Sequence, residues 1–150
     1  MGIRAVKNYD PVVAVTYSAA ALLAMTAFDT TNLRCSFTVP TSGAVTVRIS
    51  CTLHGAATFP TILLGVLEGA TVRCRQSPIG GLKNTAVATA QVTQELVMTI
   101  TGLTPGASLN WDAAYSVEIL LAATGIKCGG PNNALTNDAF GALVFEVWDA

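Results

Sequence analysis

The sequence predicts an all-β domain, an antiparallel two-sheet β-sandwich of jelly-roll type with a short N-terminal arm. Apolar residues recur at every second position over most of the chain, as strands with one buried face require. Gly- and Pro-containing turn signals separate these runs at roughly eight to twelve residues, the spacing of sandwich folds. No helical period alternates with them, so the layers are sheet on sheet, with the jelly roll one form and a Greek-key Ig-like sandwich the other. A chain of 150 residues suits one domain able to bury a core without metal or disulfide staples. Residues 1–27 read as the arm and residues 28–150 as the sandwich.

The arm carries Arg4, Lys7, Tyr9 and Asp10 outside any clear alternation. Its stretch from Val12 to Ala27 faintly imitates a leader peptide, but Asp10 and Pro11 interrupt it and Thr16 and Tyr17 dilute it. Ser18 to Met25 is the one helical candidate and is too short to stand alone. From Arg34 to Val39 the residues Cys35, Phe37 and Val39 share a face, and Pro40-Thr41-Ser42-Gly43 then supplies a hairpin turn. The return strand is the cleanest: Val45, Val47, Ile49, Cys51 and Leu53 point one way, Thr46, Arg48, Ser50, Thr52 and His54 the other. Thr61 to Glu68 is continuously apolar until its last residue, which predicts a strand covered on both faces. Thr71 to Gln76 returns from it, and Ser77 to Ala90 reads as a surface loop rich in Gly, Ala and Thr. Thr93 to Thr101 alternates through Leu96, Met98 and Ile100. The corner Gly102-Leu103-Thr104-Pro105-Gly106 leads to Ser108–Val117, where Leu109, Trp111, Ala113, Tyr115 and Val117 share a face. Gly125 to Asp138 reads as a second long loop, and Phe140 to Trp148 as the closing strand.

Composition limits the partners. Hydrophobic residues make up 51% and charged residues 11%, against roughly 25% charged in an ordinary soluble domain. Much of the surface must therefore be Thr, Ser, Ala and apolar side chains, which marks contact with other molecules and predicts a homo-oligomer. A net charge of −1, with only Arg73 and Arg75 close together, gives nucleic acid no basic field to bind. No run reaches the ~18 apolar residues of a membrane helix. The four cysteines lack C-x-x-C spacing; Cys35, Cys51 and Cys74 fall on the apolar side of their strands and read as small buried hydrophobes first and disulfide partners second, as in a protein made in the cytoplasm.

The residues offer little catalytic chemistry. The single histidine, His54, lies on the polar side at a strand end and is expected to face solvent. No G-x-S-x-G or S-x-x-K supplies a nucleophile, and no His, Cys, Asp or Glu cluster has metal-ligand spacing. Nearly all of the carboxylates are expected at turns and strand ends, capping or facing water. Gly80-Gly81 and Gly129-Gly130-Pro131 lack the Lys-Ser/Thr of a phosphate loop. No catalytic residue, metal or cofactor is therefore expected. Of the aromatic residues that could stack on a sugar, Trp111 and Tyr115 share the core parity. Trp148 has the opposite one, which suits a subunit interface.

Two stretches carry a resemblance. Phe28-Asp29-Thr30-Thr31-Asn32-Leu33 leading into Phe37-Thr38-Val39-Pro40-Thr41-Ser42-Gly43, and Gly102-Leu103-Thr104-Pro105-Gly106 followed by Trp111-Asp112, are similar to the small jelly-roll virion domains of tailed phages. The ending Val144-Phe145-Glu146-Val147-Trp148-Asp149 resembles the C-terminus of such domains. The resemblance spans Phe28 to Ala150 and implies a virion protein, either a capsid decoration protein or a tail-tip module that binds a receptor or carbohydrate. With about 27 residues ahead of the domain and no coiled-coil or collagen-like shaft among them, decoration is the setting expected. The implied partners are copies of the chain, as a trimer, and the major capsid protein; a glycan belongs to the alternative only. The residues expected to make the particle contact are Arg4, Lys7, Tyr9, Asp10 and Trp148.

Overall fold

The computed structural model describes residues 2–11, 15–17, 24–54, 61–77, 92–117, 126–132, 135–139 and 141–150. Among them every regular element is a strand: β1 (Ile3–Tyr9), β2 (Thr16–Tyr17), β3 (Thr26–Ala27), β4 (Arg34–Thr38), β5 (Val45–His54), β6 (Ile62–Glu68), β7 (Thr71–Arg75), β8 (Val92–Ile100), β9 (Ser108–Val117), β10 (Ile126–Cys128), β11 (Pro131–Asn132), β12 (Leu135–Ala139) and β13 (Leu143–Asp149). Two antiparallel sheets pack face to face.

The pairing is nested. β1 pairs β13, β4 pairs β9, β5 pairs β8 and β6 pairs β7, all antiparallel. Further contacts of β13 with β5 and of β9 with β6 join these pairs into two sheets. The first sheet runs β1-β13-β5-β8, and the second β4-β9-β6-β7. This is the strand order of a jelly roll: a long hairpin of paired strands wrapped into a sandwich. β10 and β2 extend the first sheet past β13, pairing at Leu53 and His54. β3 extends the second sheet beyond β4.

Strand parity sets the core. Val45, Val47, Ile49, Cys51 and Leu53 of β5 are all buried, facing Ile62, Leu64 and Val66 of β6 and Trp111, Ala113, Tyr115 and Val117 of β9. Phe37 meets Trp111 edge-on with ring centroids 4.9 Å apart. The Trp111 indole N–H, which burial would otherwise leave unpaired, donates to Glu68 Oε2 at 2.9 Å, and the Arg73 Nε donates to the same oxygen at 2.6 Å. At the β6–β8 side two glutamines tie the sheets together. Gln94 Nε2 donates to the Ile62 carbonyl at 3.1 Å, and Gln76 Nε2 to the Glu95 carbonyl at 2.9 Å.

Both predicted turns close as expected and pack on one another. The Gly43 N–H returns to the Pro40 carbonyl at 3.0 Å, and its own carbonyl accepts from Leu103 N. Gly43 has φ 65°, and a Cβ there would stand 2.8 Å from the Leu103 carbonyl, so two constraints select glycine. The double-sided burial expected of Thr61–Leu67 is present: Leu63, on the outer side, is as buried as Leu64 on the inner. Gly65 follows on the same outer side as Leu63, where a Cβ would overlap the Met25 thioether.

Four expectations change. The N-terminal arm is not outside the sandwich: Ile3–Tyr9 pairs with β13 and closes the nested order as its first strand. A register shift between Ile3 and Ala5 breaks its alternation, which hides the strand in the sequence. The loop expected over Gly125–Asp138 contains β10 and the β11–β12 pair. His54 is not exposed: its relative exposure is 3%, because β10 lies against the end of β5 and Gly129 covers the ring. Its Nε2 sits 2.9 Å from the Gly129 carbonyl. Fewer carboxylates than expected lie at turns or strand ends. Asp112 lies within β9, buried, and receives Arg34 Nε and Nη2 at 2.7 and 2.8 Å; Glu95 and Glu146 lie within β8 and β13. The helical candidate falls mostly, and the Ser77–Ala90 loop almost wholly, outside the described residues.

Candidate interaction surface

The outer faces of the two sheets differ. That of the second sheet is covered along β6 and β9, where Leu63, Ala114 and Ser116 are at most 1% exposed. That of the first sheet is open. Its register sets side chains in rows across β1, β13, β5 and β8: Ile3, Trp148, Thr46 and Thr99; then Val6, Glu146, Arg48 and Val97; then Asn8, Val144, Ser50 and Glu95.

Large apolar residues concentrate on this face. Five are exposed among the described residues, and three of them belong to these rows: Ile3 at 56%, Val6 at 45% and Val97 at 58%. Trp148 adds a half-buried indole whose Nε1 donates to Glu146 Oε2 at 3.1 Å. Beside it lies a shallow depression of about 290 Å³ lined by Thr46, Arg48, Val97, Glu146 and Trp148. Arg48 bridges its neighbours within the sheet: its Nε pairs with Glu95 Oε1, and its Nη1 lies 3.5 Å from Glu146 Oε2. The charges of the face are thus spent mainly on one another, and pairs this exposed add little stability. Thr46 and Thr99 share a hydroxyl hydrogen bond at 2.9 Å.

The five residues expected to form the particle contact do not form one patch. Arg4 stands beside Ile3 and pairs with Asp149, which places it at the same strand end as Trp148. Asp149 holds the Arg4 guanidinium above its ordinary pKa, chiefly by that hydrogen bond, and Arg4 holds the Asp149 carboxyl below its own. Lys7 is exposed midway along the edge strand. Tyr9 is half-buried against the core, and Asp10 accepts a hydrogen bond from Gly130 N at 3.1 Å. Tyr9 and Arg4 are five residues apart on one strand, about 17 Å. Sequence reading missed Ile3, Val6 and Val97. Only Val97 left a signal, in Leu96-Val97-Met98, where an apolar residue stands on the polar side of an alternating strand.

Among the described residues no group of three His, Cys, Asp or Glu side chains could hold a metal ion. The thiols are poor nucleophiles: burial pushes Cys35 up to about 12 and Cys74 to about 11, and Cys128, buried beside Cys51, is also raised. Among the described residues no helix is long and apolar enough to cross a membrane. No protein-family model matches the chain, and no curated protein matches it significantly.

Proposed function

We propose that this chain is a non-enzymatic virion structural protein of a tailed phage, a capsid decoration protein that associates with its own copies and with the major capsid protein. The observation that supports this most is the open face of the first sheet, where Ile3, Val6 and Val97 are left to water beside a half-buried Trp148 in a chain with little charge. A surface of that composition is suited to contact with protein. The jelly-roll topology agrees with the resemblance in sequence to small phage virion domains, and decoration needs no catalytic group. Locating the chain in purified particles by immunogold electron microscopy tests the reading. Label spread over the head supports it; label confined to the tail tip, or absent from particles, refutes it.

A second reading, a tail-tip module for a receptor or carbohydrate, draws on the depression beside Trp148, where an indole edge, a guanidinium and a carboxylate lie together. Label at the tail tip and binding of a host glycan would favour it.

A further inference from the structure

We infer that the open face of the first sheet docks on the same face of a second copy, about a two-fold axis parallel to the strands and midway between β13 and β5. The inference rests on the reading of the chain as a self-associating protein and names the surface and geometry. Charge decides the axis. A rotation about it reverses the order of the strands and keeps the rows. In the middle row, Val6 then meets Val97 of the second copy, and Glu146 meets Arg48 of the second copy, each pairing occurring twice. The other in-plane axis, perpendicular to the strands through that row, keeps the strand order. It would set Arg48 on Arg48 and Glu146 on Glu146, a juxtaposition that opposes association.

In the parallel-axis arrangement no like charges oppose one another. Trp148 lies over Thr46 of the second copy, and Glu95 over Asn8. The sheets stack in the aligned manner of sandwich layers, about 10 Å apart. Four strands at about 4.8 Å spacing and seven residues at about 3.3 Å rise give a footprint of roughly 440 Å² per copy. The total of about 900 Å² falls below the ~1,200 Å² of standard interfaces, so the dimer is weak in solution and gains from the high local concentration of a particle surface. The contact is two-fold, whereas the resemblance to phage virion domains implied a trimer.

The test uses two single variants of the full chain, Val6→Cys and Val97→Cys, mixed at high concentration and oxidised. The two positions lie three strands apart in one copy, about 14 Å, which is beyond the span of a disulfide. The expected product is a Val6→Cys to Val97→Cys heterodimer, with neither variant linking to itself, and Arg48→Glu introduced into both should reduce its yield several-fold. Circular dichroism establishes that each variant is folded. Self-linked Val6→Cys, which would indicate edge-to-edge or perpendicular pairing, overturns the inference. So does a product consisting of trimers alone, or no link at millimolar concentration. A chain that decorates heads yet never cross-links sinks this contact and leaves the proposed function standing; one that cross-links but binds no head does the reverse.

Discussion

At the scale of single residues, parity was legible and cover was not. His54 stands on the side of β5 that alternation assigned to it, but Gly129, 75 residues away, closes over it. No local pattern records such a contact. The cysteines were read correctly as buried at Cys35 and Cys51, because a thiol on the apolar side of a strand faces the core whichever sheet lies opposite. Their burial makes a prediction. At pH 8 the native protein should react slowly with a thiol reagent at Cys35, Cys51 and Cys128 and rapidly once unfolded, whereas Cys74 is only half-buried; a colorimetric titration with and without denaturant will measure this. A fast-reacting native thiol among those three would show that a strand is misplaced. The Asp29 carboxyl makes a second prediction. Burial pushes its pKa up, but hydrogen bonds from the Asn32 backbone and side chain and from the Thr31 backbone outweigh this and hold it below the ordinary value. Its contribution to stability is therefore present above the unfolded pKa near 3.9 and is lost as pH falls through the lower folded value. Asp29→Ala should lower the denaturation midpoint at neutral pH, and the difference from the parent should shrink below about pH 4.

At the scale of elements, strands with two buried neighbours were the easiest to read. β5 lies between β13 and β8, so five inward residues alternate without interruption. Ile49, 1% exposed, should cost about 2–5 kcal/mol when changed to alanine, through lost burial and the cavity left behind. Thr46, on the open face, should stay within roughly 0.5 kcal/mol, since its hydroxyl pair with Thr99 is exposed. Chemical denaturation of Ile49→Ala and Thr46→Ala decides the register, because a one-residue slip would exchange the two effects. β1 was illegible for the opposite reason. It lies at a sheet edge, its alternation is shifted between Ile3 and Ala5, and only Ala5 and Tyr9 pack against the core. Deleting residues 1–9 should therefore do more than remove a contact segment: it would bare β13 as a new edge, lower the thermal midpoint and promote aggregation. A truncated chain as stable and as soluble as the parent would contradict the nested pairing.

At the scale of the molecule, the fold class followed from period and turn spacing, while the closure of the jelly roll depended on a strand that looked like an arm. The working surface was only half legible. Low charge indicated that some apolar face must meet a partner, and Trp148 was correctly read as pointing away from the core. Which side chains join it depended on the register of β1 and β8 against β13 and β5, which brings Ile3, Val6 and Val97 onto one face from distant parts of the chain. Labelling of Val97→Cys by a maleimide, compared between the dilute free chain and the chain assembled on particles, tests whether the open face is the interaction surface. Rapid labelling is expected in the free chain, where Val97 is 58% exposed, and strong protection in the particle. Equal labelling in both states would contradict it, because the face would then meet water in the assembled protein as well.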